Sequence, residues 1–313
     1  MKKTLAIVLA LVLAVSMLAG CSTEESTDQG SDGSAETISI TDMASREVTL
    51  DAAAQRVVAV TASDCEILYA IGAGETLVGR GEYCDYPDEI SDIQVVESAQ
   101  ALNTEELIAL EPDVVIVSTM LQNEEQVNTL AEAGITVLVS DAQTIDDVYV
   151  CIEMIGKAVG KNDEAASLIE SMKSQFDEIS ENKLDGGSIY FEVSPLEYGL
   201  WTAGSGTFMD EIATMLGLEN AFGDVSGWAE ISEEQVIERN PDYIVTITMY
   251  YGEGETPVEE ILGREGWQEI NAVKNGAVFN IDSNEVSRPG PRLADGAKAI
   301  YDEISALTAN AAA

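Results

Sequence analysis

The sequence predicts an α/β protein of two Rossmann-like lobes, each built on a parallel sheet, bridged by one long α-helix, with a ligand cleft between the lobes. Three observations predict it. Helix-like and strand-like stretches alternate along most of the chain, as in parallel sheets covered by helices. Asn103–Thr119 (NTEELIALEPDVVIVST) recurs as Ser232–Thr248 (SEEQVIERNPDYIVTIT). Between the copies lies Asn162–Leu184 (NDEAASLIESMKSQFDEISENKL), with no Gly or Pro to interrupt it.

The amino end carries Lys2 and Lys3, then an apolar run from Leu5 to Met17, then Leu18-Ala19-Gly20-Cys21. The run has signal-peptide length and is short for a bilayer span. Small residues directly before a cysteine look like a bacterial lipobox, which would make residues 1–20 a lipoprotein signal and Cys21 the lipidated first residue. An ordinary cleaved signal with an incidental cysteine is the alternative. Residues 21–36, rich in Ser, Gly and acid, read as a flexible tether with nothing to bury.

Residues 37–161 read as the first lobe. Thr37–Thr41 and Glu47–Leu50 alternate like a hairpin. Val57–Val60 is a strand of buried type feeding a helix, Ser63–Ile71, that stops at Gly72 and Gly74. A short strand at Val78 and Gly79 precedes the Pro-containing loop Tyr83–Glu89. Then come a helix at Thr104–Leu110, a strand at Asp113–Ser118, a helix at Glu124–Ala133, a strand at Thr136–Val139 and a helix at Ile145–Val159.

In the bridge, residues 162–185, Ala165, Leu168, Ile169, Met172, Phe176 and Ile179 recur at three- and four-residue steps and make one apolar stripe. Asn162 is read as its N-cap, with Asp163 and Glu164 suited to the positive end of the dipole. About 22 residues make a rod of roughly 33 Å, a stiff link that predicts little motion between lobes.

Residues 186–313 restart the pattern. Ile189–Val193 reads as a strand, Phe208–Leu216 and Glu233–Arg239 as helices, and Tyr243–Ile247 as a strand. Val258–Leu262 is a helix, Val278–Ile281 a strand and Arg292–Leu307 a closing helix. At a constant offset Glu105 falls on Glu234, Pro112 on Pro241 and Asp113 on Asp242. In both copies a short helix must end before Pro, and a β-branched buried strand follows.

Charge narrows the function. The chain has 15 Lys plus Arg against 57 Asp plus Glu, a net charge of −42. Nucleic acid needs a basic surface and is excluded. The chain has no histidine, which disfavours imidazole-based zinc or manganese capture and removes imidazole ligation of haem iron, leaving Tyr or Met ligation open. Beyond Cys21 lie Cys65, Cys84 and Cys151, in no metal-binding spacing. A Cys65–Cys84 disulfide is the alternative to buried free thiols, which are the preferred reading.

The lipobox, Ser63-Asp-Cys-Glu-Ile67 with Gly72-Ala-Gly74, Tyr83-Cys-Asp-Tyr-Pro87 and the two Glu…Pro-Asp units together resemble the lipid-anchored substrate-binding proteins of ABC importers for cobalamin and ferric siderophores. Trp201-Thr-Ala-Gly-Ser-Gly206, Gly227-Trp228 and Ser287-Arg-Pro-Gly-Pro-Arg292 extend the resemblance over residues 50–305. It implies a monomer without catalysis, anchored on the outer face of the cytoplasmic membrane and serving a permease dimer with its ATPase subunits. It also implies that Glu105 and Glu234 engage permease arginines, one per lobe, and that Trp228 and Arg288 stand where cobalamin-binding members contact ligand. The full set of ligand candidates is Tyr83, Tyr86, Trp201, Trp228, Tyr250, Tyr251 and Arg288, placed on loops after strands. Tyr69 and Trp267 are left to the core.

Aromatic faces suit a broad macrocyclic ligand. Seven arginines and six lysines remain beyond residue 20, poor provision for a multiply anionic ferric catecholate, whose buried charge must be paired. A corrinoid therefore leads, a neutral hydroxamate siderophore comes second and haem third. No metal or further cofactor is expected. No nucleophile elbow, Walker loop or G-x-G-x-x-G occurs, which argues against the enzyme classes built on them. A carboxylate-only hydrolase and an anchored adhesion or signalling module are the remaining alternatives.

Overall fold

The computed structural model describes residues 37–311 apart from 99–100, 120–122, 251 and 253. The expected signal, Cys21, the tether and Tyr251 lie outside the described residues.

β1 (Ile38–Thr41) and β2 (Glu47–Leu50) pair antiparallel. Their turn is closed by Asp42, which accepts from the Ala44 and Arg46 backbone N–H groups. The first sheet contains β3 (Val57–Ala59), β4 (Leu77–Arg80), β5 (Val114–Ser118) and β6 (Thr136–Ser140). All are parallel, in the order β4-β3-β5-β6. Side chains leave opposite faces in turn, so Val57, Val114 and Ile116 enter one core and Val58, Val115 and Val117 another. Both faces are covered, which is why these strands read as unbroken apolar runs. Their helices are α1 (Ala62–Ala70), α2 (Thr104–Ala109), α3 (Glu124–Glu132) and α4 (Ile145–Val159).

The bridge is α5 (Asn162–Glu181), 20 residues long. Asn162 is its first helical residue and not its cap; Lys161 occupies that place without a side-chain bond. The reason is upstream: Gly160, at φ 73°, ends α4 and the chain re-enters a helix at once. The bridge stops short of Leu184 because the Asn182 side chain folds back on the Glu178 carbonyl and Leu184 N–H pairs with Leu216 O. Ala165, Met172, Phe176 and Ile179 are its buried stripe. A Cβ on Gly156 of α4 would meet the Ala165 Cβ at 2.5 Å, so only glycine allows the two helices to cross this closely.

The second sheet is β12-β11-β7-β9, again parallel: β7 (Ser188–Glu192), β9 (Glu219–Asn220), β11 (Tyr243–Thr246) and β12 (Val278–Asn280). It carries α6 (Phe208–Leu216), α7 (Glu233–Arg239), α8 (Pro257–Gly263), α9 (Asn271–Lys274), α10 (Ser283–Val286) and α11 (Leu293–Ala311). Capping boxes at Thr144, Ser232 and Thr256 start α4, α7 and α8. One buried cluster runs from Ile116 through Ile152 and Met172 to Ile189 and Val245, joining both sheets by way of α4 and α5.

The repeat is a structural one. Glu111 and Asn240, each directly before its proline, both take φ 47°. Asp113 accepts from the Gln55 and Arg56 N–H groups at 2.8 and 2.9 Å, and Asp242 accepts from Ser188 N–H at 2.9 Å. In each lobe the aspartate thereby pins the entry of the neighbouring strand. A further antiparallel ribbon, β8 (Leu200–Ala203) with β10 (Trp228–Ile231), corrects the reading of Trp201 and Trp228 as loop residues. Its strands are four residues each and far apart in sequence, so no local pattern announces them.

Candidate functional site

The carboxyl ends of β3, β5 and β6 open on a cavity of about 560 Å³. Strand ends of parallel sheets expose backbone and side-chain polar groups where the helices turn away, so ligands collect there. Hydroxyls line this edge: Thr61 and Ser63 after β3, Ser118 ending β5 and Ser140 ending β6, with Ser98 beside them. The second lobe contributes Phe208 at the start of α6, Trp228 on β10, and Ser287 to Pro289. Phe208 and Trp228 pack tilted, ring centroids 5.4 Å apart. Gln143 ties the lobes at the base: its carbonyl accepts from Phe208 N–H at 2.8 Å and its Oε1 from Trp228 Nε1–H at 3.2 Å.

Three of the predicted ligand residues, Tyr83, Trp228 and Arg288, line this cavity. Arg288 is the cation among its lining residues, and its charge is already compensated. It donates to Glu66 Oε1 at 3.0 Å and Asp85 Oδ1 at 2.6 Å, both from the first lobe. Arg292 joins it, donating to the same buried Glu66 at 2.7 and 3.0 Å. Tyr86 lies beside the cavity lining with its ring 4.0 Å from the Arg292 guanidinium, so it buttresses this clasp.

Under the floor sits Asp64, fully buried, accepting from the hydroxyls of Thr61 and Ser140. Burial pushes its carboxyl up to about 6, against the pull of those two hydrogen bonds. Cys151 reaches the floor too, 3.1 Å from Met43 Sδ, its thiol pushed up by burial.

Tyr250 stands elsewhere. It lines a second cavity of about 490 Å³ formed by the loops after β7 and β11, together with Met249, Glu192 and Glu197. There Arg264, beneath the surface, bridges Glu192 at 2.6 and 2.9 Å and Glu260 at 3.0 and 2.6 Å. Burial nonetheless leaves the Glu192 carboxyl above its ordinary range. Trp201 is outside both linings, on the same ribbon face as Trp228, since Ala203 pairs with Trp228 and residues two apart share a face. Tyr69 is half-buried against the core and Trp267 fully buried. No group of described residues is arranged to hold a metal ion, and no described helix is long and apolar enough to cross a membrane.

Glu105 and Glu234 are both exposed, in the first turns of α2 and α7. The helix-end N–H and the Ser232 hydroxyl hold the Glu234 carboxyl below its usual range.

Sequence reading passed over Gln143, Phe208, Glu66 and Asp85. Ser118 and Ser140 had a visible signal: each is the polar residue ending an apolar strand. Glu66, inside an apolar helix, could have been flagged as a buried charge in need of a partner.

Residues 57–285 match the periplasmic binding protein family. An uncharacterized ABC transporter substrate-binding lipoprotein of Bacillus subtilis strain 168 is 37% identical over 315 residues, covering 97% of this chain and 98% of the relative. The vitamin B12-binding protein of Pectobacterium carotovorum is 26% identical over 258 residues, covering 81% of this chain and 90% of its own. A crystal structure from Staphylococcus epidermidis, described as a possible iron-binding (periplasmic solute-binding) protein, superimposes with a TM-score of 0.67 at 33% identity. The match covers 80% of this chain and 98% of that one.

Proposed function

This chain belongs to the periplasmic binding protein family and is an extracytoplasmic substrate-binding component of an ABC transporter; from that premise we propose that its cargo is a corrinoid. The cargo is held in the inter-lobe cleft and handed to a permease dimer with its ATPase subunits. Cys21 anchors the monomer to the membrane through lipid, and Glu105 and Glu234 meet permease arginines. Arginine–carboxylate pairs are directional, so one on each lobe would orient the receptor on a two-fold partner.

The observation that carries the cargo assignment is the wall of the larger cavity. It offers hydroxyls, two aromatics packed tilted against each other and one arginine whose charge is shared between Glu66 and Asp85. A polyanionic ferric complex would find no uncompensated cation in that lining, whereas a broad, nearly neutral macrocycle finds apolar faces and hydrogen-bond partners. Tyr83, 72% exposed, is a third aromatic residue in the same lining.

A second reading, a hydroxamate siderophore or haem, is favoured by size. A cavity of about 560 Å³ sits within the range typical of drug-sized ligands, roughly 300–1,000 Å³. Uptake of labelled cyanocobalamin decides between them in cells with no other cobalamin importer. Deleting the gene should abolish uptake and a plasmid copy restore it; unchanged uptake after deletion sinks the corrinoid assignment.

A further inference from the structure

Cys65 on α1 and Cys84 in the loop after β4 are both fully buried thiols. Their sulphurs converge on one acceptor, the Ala59 carbonyl oxygen, which lies 3.4 Å from Cys65 Sγ and 4.0 Å from Cys84 Sγ. Hydrogen bonding with Cys84, and then burial, push the Cys65 thiol up. Cys151, by contrast, has its sulphur against Met43. Each of the paired cysteines is followed in sequence by a carboxylate that grips Arg288: Glu66 after Cys65, and Asp85 after Cys84.

From this placement we propose that Cys65 and Cys84 form a disulfide in the exported protein, fixing the two first-lobe carboxylates that seat Arg288. Two thiols crowding one carbonyl gain little, since S–H is a weak donor. A covalent bond between them ties α1 to the loop that carries Tyr83, Asp85 and Tyr86. The seat for the opposite lobe's arginine then no longer depends on loop packing alone. An extracytoplasmic location supplies the oxidising setting.

The bond forms by exchange with the disulfide of a thiol–disulfide oxidoreductase. One cysteine, as thiolate, attacks that disulfide and gives a mixed disulfide; the second then displaces the oxidoreductase, which leaves as a dithiol. The two protons lost by the cysteines end on that dithiol, and the two electrons of the pair go with it. Fully buried thiols are inert, so the exchange takes place while the first lobe folds after export. The inference goes beyond the transport reading, and its test involves no cargo.

Cells producing the full chain are quenched in denaturant with N-ethylmaleimide, and the purified protein is digested without reductant and mapped by mass spectrometry. The expected result is one cross-linked species joining the Cys65 and Cys84 peptides, two hydrogens lighter than their sum, with Cys151 carrying the maleimide. Maleimide on both Cys65 and Cys84 overturns the proposal. A second readout is thermal: reductant lowers the melting temperature of the native chain by about 5 °C and leaves that of a Cys65→Ser/Cys84→Ser variant unchanged. Equal melting with and without reductant in the native chain counts against the bond.

Discussion

Glu105 and Glu234 occupy the same place in two copies of one structural unit, each the second residue after the N-cap of a short helix. Asn103 caps one helix and Ser232 the other, and both helices run into a residue at φ 47°, a proline and a strand-pinning aspartate. The helix ends favour a carboxylate there in any case; what sets these two apart is that both side chains are exposed, one in each lobe.

Reversing both charges, Glu105→Arg with Glu234→Arg, should abolish transport in whole cells while leaving cargo affinity within about twofold, because neither side chain reaches the cavity. Either single reversal should give an intermediate rate. Uptake assays paired with binding titrations check this, and undiminished uptake by the double variant removes the docking role.

Arg264 holds the second lobe's buried charges. Replacing it with Met leaves Glu192 uncompensated at 1% side-chain exposure, and a broken buried pair costs about 3–5 kcal/mol. Urea unfolding should show that loss. The double variant Arg264→Met/Glu192→Leu should recover much of it, since an apolar pair of similar bulk has no buried charge to satisfy.

Asp64 sets a pH dependence whose sign follows from linkage. Its folded carboxyl titrates at about 6, above the ordinary carboxylate value, so between pH ~4 and ~6 the folded chain holds a proton that the unfolded chain has released. Its contribution therefore weakens as pH rises through that window and is flat above it, a total of about 3 kcal/mol. The other carboxylates add their own dependence, so the difference between native chain and Asp64→Asn is the quantity to follow. Thermal melts from pH 4 to 7 should show the variant gaining relative to the native chain as pH rises. A constant difference contradicts the assignment.

Much of the fold was legible because its signals are local. Val114–Val117 and Ile244–Val245 are buried on both faces and read as parallel strands, and the helices at Ile145–Val159 and Glu233–Arg239 fall where the sequence places them. The bridge was legible from its stripe; its cap was not, since Gly160 and Lys161 decide where it begins. What escaped depends on pairing between distant segments. Trp201 and Trp228 share a ribbon whose strands are separated by a Gly-containing stretch and α6. Of the candidate site, Tyr83, Trp228 and Arg288 do meet across the lobes, but Tyr250 belongs to a separate cavity and Tyr86 supports Arg292. The partners of Arg288 were hidden because Glu66 and Asp85 lie more than 200 positions away, and a single sequence carries no trace of that contact.

The most direct measurement is a fluorescence titration of the purified protein with cyanocobalamin, haemin and a ferrioxamine, repeated on Trp228→Phe. Trp228 lines the cavity, Trp201 lies outside its lining and Trp267 is sealed in the core, so cargo in the cleft should quench Trp228 most. The account predicts saturable quenching by cyanocobalamin at micromolar concentration or tighter, largely lost in the variant. Saturable binding of haemin or the ferrioxamine with no response to cyanocobalamin would contradict it.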